Sequence, residues 1–241
     1  MIDVIAIIPA RLGSKTVLDK NIKLLSGHPL LAYSIAAAKL SNRIDRVIVS
    51  TNSNEYADIA KFYGAEVPFI RPDEYSTDKS TDEGFLLHAM EWFKENENIV
   101  PNYWVHLRPT TPLRNFRVVD TAIDLIISHQ DSTSLRSAHK APESPFKWFR
   151  KSGNTFKGIF DGEDHNLPKE SFNQVYIPNG YVDIIKASYI MNNEGIHGDS
   201  MIGFVSPSCT EVDSIEEFDY IQYQLNRDGS ELQNYLNNFN K

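Results

Sequence analysis

The hydrophobic pattern along the chain switches repeatedly between two periods. Val4-Ile5-Ala6-Ile7-Ile8 is an unbroken apolar run, the mark of a strand buried on both faces of a parallel sheet. Pro9 ends it, and a polar loop follows to Asn21. Residues 29–40 then carry Leu31, Ile35 and Ala38 on one helical face. Arg46-Val47-Ile48-Val49-Ser50 predicts a second strand, residues 55–63 a second helix closed by Gly64, and residues 66–70 a third strand. Phe85, His88, Ala89, Trp92 and Phe93 recur at helical spacing within 81–95. A fourth strand is expected over 103–107 and a fourth helix over 118–128. Strands alternating with helices predict an α/β fold, doubly wound around a mostly parallel sheet with right-handed crossovers.

The rhythm breaks after about residue 130. Residues 132–137 read as a strand, but 141–174 are rich in Pro, Gly, Asn and charge, with a short aromatic run at Phe146-Lys147-Trp148-Phe149. This segment predicts a small irregular β insert of hairpins and loops. Residues 1–140 and 175–241 then make one α/β domain around it. Strands resume over 180–185 and 202–205. Ser214-Ile215-Glu216-Glu217 has the capping-box spacing that opens a helix through Phe218, Ile221 and Leu225. Residues 234–241 are polar and read as a frayed tail.

Composition narrows the function classes. The 24 Lys and Arg against 32 Asp and Glu give a net charge of -8 over 241 residues. That balance argues against a nucleic-acid polymer as partner, which calls for a basic footprint. The single cysteine, Cys209, cannot form an internal disulfide. No apolar run is long enough for a membrane helix, so no membrane association is expected. Met1-Ile2-Asp3 lacks the basic start of a signal peptide, which makes the cytoplasm the expected location. The histidines show no spacing for a zinc site, and His88 reads as a packed core residue.

Charge is concentrated in one place. Arg11, Lys15, Lys20 and Lys23 fall within 13 residues in and just after the loop that follows the first strand, opposed only by Asp19. In open α/β sheets ligands bind beyond the carboxyl ends of the strands. Gly13 permits close backbone approach there, and Ser14 and main-chain N–H groups are donors for phosphate oxygens. The loop matches neither the ATPase nor the dinucleotide glycine spacing. Near the other end, Glu211 and Asp213 stand two apart on an extended segment, a spacing that lets both point to the same side. Two readings stay open for them: metal ligands, or carboxylates favoured by the N-terminus of the helix that follows.

The loop Ile8-Pro9-Ala10-Arg11-Leu12-Gly13-Ser14-Lys15, continued by Lys20-Asn21, resembles the I-P-A-R-G-G-S-K-G-x-x-x-K-N signature of the acylneuraminate cytidylyltransferases, the CMP-sialic acid synthetase family. Further segments are similar in the same order. Val49-Ser50-Thr51-Asn52 resembles V-S-T-D, and the stretch from Gly64 to Pro72 with Asp78 and Ser80 resembles G-A-E-V-P-F-x-R-P…D…S. Leu107-Arg108-Pro109-Thr110-Thr111-Pro112-Leu113-Arg114 is similar to L-Q-P-T-S-P-L-R, Pro178-Asn179-Gly180 to P-N-G, and Glu211-Val212-Asp213 to D-I-D.

The resemblance implies a Rossmann-like nucleotidyltransferase that moves CMP from CTP to the anomeric hydroxyl of an acidic α-keto sugar, releasing pyrophosphate. It implies Mg²⁺ as cofactor at Glu211 and Asp213, and catalysis through Arg11, Lys15, Lys20 and Asp213. Ala10, Arg11, Gly13, Ser14, Asn21, Arg71 and Ser80 would bind the nucleotide. Arg108, Thr110, Arg114, Lys147, Lys169 and Asn179 would bind the sugar, the arginines and lysines being candidates for its carboxylate. The irregular insert would pair two subunits into a homodimer. Leu12, Thr16 and Asp19 depart from the loop signature, and Arg108 stands where glutamine is usual, so a modified bacterial nonulosonate is as plausible an acceptor as N-acetylneuraminate. A nucleotide-sugar glycosyltransferase using Glu211 and Asp213 as a variant D-x-D motif is the alternative. The basic loop speaks against it, since a triphosphate needs more cations than a diphosphate sugar.

Overall fold

The first apolar run forms strand β1 (Val4–Pro9), whose five leading residues are buried. A computed structural model describes residues 3–14, 16–160, 164–192 and 195–240. After the basic loop, a hairpin of β2 (Leu24–Leu25) and β3 (His28–Pro29) leads into α1 (Leu30–Leu40). Then come β4 (Arg46–Ser50), α2 (Asn54–Phe62), α3 (Asp82–Asn96), β5 (Tyr103–His106) and α4 (Phe116–Ser128). The second half contributes β6 (Ser134–Lys140), the hairpin β7 (Phe149–Ser152) and β8 (Thr155–Gly158), then β9 (Tyr176–Lys186) and α5 (Ala187–Ile190). β10 (Met201–Val205), α6 (Ile215–Asp228) and α7 (Glu231–Leu236) complete it.

The architecture is α/β with a mostly parallel central sheet, in the strand order β10-β6-β9-β5-β1-β4. Only β9 runs against its neighbours, β5 and β6. Alternate residues of β1 feed opposite cores, which is why its sequence has no polar gap. Val4, Ala6 and Ile8 pack with α1, α4 and α6, while Ile5 and Ile7 pack with α3 and α5. Each fully buried isoleucine contributes roughly 1.5–3 kcal/mol over its exposed state. The chain leaves β1 to one side for β4 and returns to its other side for β5. That reversal opens a crevice beyond the carboxyl ends of β1 and β5.

Local chemistry sets the helix starts. Ser53 caps α2 by accepting from the Tyr56 N–H, and Asn115 caps α4 by accepting from the Arg117 N–H. Ser214 and Glu217 form the reciprocal capping box of α6. Gly64, at a φ of 89°, supplies the left-handed turn after α2.

Two expectations need correction. Residues 66–70 make one bridge, Ile48 to Glu66, and not a strand. Pro68 has no N–H to extend a ladder, and Arg46 holds Glu66 by an ion pair of 2.5 Å. The C-terminal tail is not frayed where it is described. α7 buries Leu232 and Leu236, and Phe239 packs against Phe62 and Tyr63. Among the described residues no helix is long and apolar enough to cross a membrane.

Candidate functional site

The loop after β1 is shaped by side chains that bond its backbone. Ala10 is buried and its N–H donates to the Ser50 carbonyl at 2.9 Å, holding the loop root to β4. Asn52 Oδ1 accepts from the Leu12 N–H at 2.8 Å, and Asn21 Nδ2 donates to the Arg11 carbonyl at 3.1 Å across the loop. Gly13 has a φ of 88°, a conformation glycine adopts without steric cost. Asp19 is also left-handed, at 48°, and its carboxylate accepts from the Tyr56 hydroxyl at 3.0 Å. It therefore serves as a loop anchor.

A cavity of about 400 Å³ lies in the crevice. Arg11, Ser14, Lys20 and Asn21 line one wall, and Arg71, Ser80, Arg108 and Thr110 line another. Lys15 lies outside the described residues. Arg11 pairs with Asp78 at 2.9 Å in a partly exposed setting. Arg71 is 3% exposed, donates from Nε to the Ser50 hydroxyl at 2.9 Å and from Nη2 to the Ser50 carbonyl, and sits over the Phe85 ring at 4.8 Å. Burial lowers its pKa to about 10, so it stays cationic at neutral pH. The Ser80 hydroxyl meets Thr77 and the Glu74 carbonyl within its own turn.

Lys20 reaches out of the loop to the far end of the chain. Its Nζ donates to the Val212 carbonyl at 2.7 Å and lies 3.3 Å from Asp213 Oδ1. The Val212 N–H in turn donates to the Thr110 carbonyl at 2.8 Å. The structure thus brings the basic loop, the turn after β5 and the segment before α6 together. Val212 is fully buried, with Glu211 and Asp213 as its neighbours in the chain and Asp213 beside Lys20. Glu211 Oε1 accepts from the Gly180 N–H at 2.8 Å. A Cβ at Gly180 would lie 2.6 Å from Thr111 Oγ1 and 3.2 Å from Glu211 Oε2, which explains a glycine there. The two carboxylates suit a hard cation such as Mg²⁺, which takes one or two carboxylates and keeps water and phosphate oxygens. Asp213, 73% exposed, leaves room for such ligands.

Two expected sugar contacts are buried and hydrogen-bonded within the scaffold. Arg114 is 2% exposed and donates to the carbonyls of Tyr181, Arg108 and Gly180 and to the Ser34 hydroxyl, at 2.6–3.0 Å. With four bonds made inside the scaffold, it does not line the cavity. Asn179 is buried as well, accepting from Ser137 Oγ at 2.8 Å and donating to Ser206 Oγ at 3.0 Å. Both residues brace the walls of the crevice. Lys147 and Lys169, in the insert, do not line the cavity, and Lys169 Nζ donates to the Pro142 carbonyl.

Sequence reasoning missed the partners of Arg108. Its guanidinium is clamped between Asp82 Oδ2 at 2.8 Å and Asp183 Oδ2 at 2.7 Å. It also missed His106, which lines the cavity while 1% exposed and whose Nε2 finds no hydrogen-bond partner among the described residues. The available signal was the alternation Trp104, His106, Arg108, which puts all three on one face of β5 and its extension.

Burial, reinforced by Arg108, Arg114 and Arg71, holds the His106 imidazole well below its usual pKa of 6.5. Below that pH the unfolded chain takes up a proton that the folded one refuses. This contribution to stability is complete above pH 6.5 and is lost as pH falls toward the depressed folded value, at up to about 1.4 kcal/mol per pH unit. His88 and His197, also lowered by burial, steepen the same loss. Denaturant unfolding from about pH 7 to about pH 5 is expected to show the decline, and His106→Gln to flatten it. An unchanged slope would contradict this.

Comparison with known proteins identifies the family and the fold. The family model described as "Cytidylyltransferase" matches residues 5–140. The N-acylneuraminate cytidylyltransferase of Escherichia coli O18:K1:H7 is 30% identical over 99% of this chain, which spans 57% of that protein's length. The CMP-N,N'-diacetyllegionaminic acid synthase of Legionella pneumophila is 31% identical over 88% of this chain and 90% of its own. A solved CMP:2-keto-3-deoxy-manno-octonic acid synthetase complexed with CTP shares the fold, with a TM-score of 0.70 at 12% identity over 94% of this chain and 99% of its own.

Proposed function

The chain belongs to the cytidylyltransferase family, and from that premise we propose that it transfers CMP from CTP to the anomeric hydroxyl of a sialic acid or related nonulosonate, with Mg²⁺ as cofactor. The observation that carries this reading is the meeting of Lys20 with Val212 and Asp213 beside a cavity walled by Arg11, Arg71 and Arg108. The two named relatives act on nonulosonates by their descriptions, and that likeness supports the acceptor class.

In the reaction the sugar's anomeric oxygen forms a bond to the α-phosphorus and the bond to the pyrophosphate oxygen breaks. The hydroxyl proton passes to solvent. Charge gathers on the non-bridging and leaving oxygens, so the task is positioning and electrostatic stabilisation. Arg11, with Lys15, receives phosphate oxygens, and Ser14 and the turn at Gly13 donate to them. Arg71, fixed by Ser50, holds the nucleoside with Asn21 and Ser80. Lys20 stands to neutralise the departing pyrophosphate. Mg²⁺, held by Glu211 and Asp213, supplies charge neutralisation for phosphate oxygens when bound.

The assembly belongs to the same reading. Trp148, Phe149, Phe156 and Phe160 are exposed on and beside the β7–β8 hairpin. The insert over 141–174 would cover them against a second copy, giving a homodimer, with 1–140 and 175–241 as the nucleotide-binding domain. The cytoplasm is the location that belongs to this reading.

The test is pyrophosphate release by the purified protein with CTP, Mg²⁺ and a panel of α-keto acid sugars. Release with at least one nonulosonate is the expected result. No release with any acceptor, together with turnover of a nucleotide sugar, would assign the chain to glycosyl transfer.

A further inference from the structure

An acidic acceptor brings a carboxylate that needs a cation, and the cations around the cavity are mostly committed. Arg114 is spent on four framework bonds. Arg108 is clamped by Asp82 and Asp183. A different arginine stands one carboxylate further along the sheet.

The core beneath α3 and α5 ends at Ile185 of β9, and neither β6 nor β10 gives it a residue. Beyond it, His197 covers Ser134 on this face, and the face opens toward β10. A row of residues in register crosses it: His106 pairs with Asp183, Asp183 with Arg136, and Arg136 with Gly203. Residues paired across strands share a face, so this row runs from the cavity wall outward. Asp183 is 1% exposed and sits at its centre. Its Oδ2 accepts from Arg108, and its Oδ1, without a hydrogen bond among the described residues, lies 4.0 Å from Arg136 Nε. Arg136 is 38% exposed and makes no hydrogen bond among the described residues. Beside it, a Cβ at Gly203 would meet nothing within 4 Å among the described residues, and Met201 and Val205 are exposed on the same edge.

We propose that Arg136 receives the carboxylate of the acidic sugar, with Asp183 as a positioning residue that sets Arg136 and Arg108 side by side. The assignment rests on the cytidylyl-transfer reading above and adds a specificity residue to it. A guanidinium suits this task because its planar fork matches a carboxylate in two parallel bonds. Asp183 supplies the counter-charge that fixes one end of the side chain and leaves the terminal nitrogens toward the open face. The space over Gly203 is where the body of the sugar rests.

The experiment compares wild type with Arg136→Ala, Arg136→Lys and Gly203→Leu, using CTP, Mg²⁺ and an accepted nonulosonate or its carboxamide. Arg136→Ala is expected to raise the acceptor KM roughly ten- to hundredfold, to leave the KM for CTP unchanged, and to erase the preference for acid over amide. Arg136→Lys restores that preference in part, by charge without the fork. Gly203→Leu raises the acceptor KM by filling the shelf, with the acid preference intact. Unchanged KM for CTP and an unchanged unfolding midpoint report that the variants are folded. If wild type turns over and Arg136→Ala keeps its acceptor KM within about twofold, or its acid preference, this assignment is wrong and the reaction stands. If wild type releases pyrophosphate with no α-keto acid sugar, the reaction falls and the assignment with it.

Discussion

Lys20→Ala is expected to lower kcat by about two to three orders of magnitude while changing the KM for CTP far less. The side chain is 12% exposed, so its charge is little screened by water. Nζ is held by the Val212 carbonyl and Asp213 rather than free to wander, so no reorganisation is needed when charge develops on the leaving group. Lys20→Arg keeps the charge but asks a larger planar group to fit the same space, and is expected to recover only part of the rate. Steady-state kinetics with varied CTP separate the possibilities. A change confined to KM would make Lys20 a uniform binder of triphosphate, with no special role at the transition state.

Arg114→Leu is expected to cost about 3–5 kcal/mol of stability, since it strands buried acceptors that water cannot reach. Three of the four groups it bonds are main-chain carbonyls, those of Tyr181, Arg108 and Gly180. For a domain of this size the loss corresponds to a fall of about 6–20 °C in Tm. Burial already lowers the pKa of this guanidinium to about 10, which records the desolvation that its bonds offset. Arg114→Lys retains a charge without the fork and should fall between the two. Thermal unfolding checks it. An unchanged Tm with a raised acceptor KM would return Arg114 to the sugar.

These two residues also show what the sequence could and could not reveal. The fold was legible because period is a local property. β1 reads as an unbroken apolar run, and Ser214 with Glu217 announces α6 by spacing alone. Residues 66–70 misled because an extended, apolar stretch was interrupted by Pro68, leaving one bridge. α7 escaped notice because it is only six residues long, although Ser230 caps it and Leu232 and Leu236 are four apart. Within the site, the basic loop is compact in sequence and its charges stand out. The clamp on Arg108 joins positions 26 and 75 residues apart, which no spacing rule detects. Arg114 and Asn179 sit in motifs that mark the site, yet a motif does not distinguish a residue that touches a ligand from one that braces the wall behind it.

The tie from Lys20 to Val212 and Asp213 spans 192 and 193 residues. On a ribosome, the basic loop emerges first and must wait for the strip that closes against it. At ordinary translation speeds the delay is about 10–40 s. Throughout that interval the nascent polypeptide has its cations but no counterpart for Lys20, so the completed tie waits for the segment around Val212.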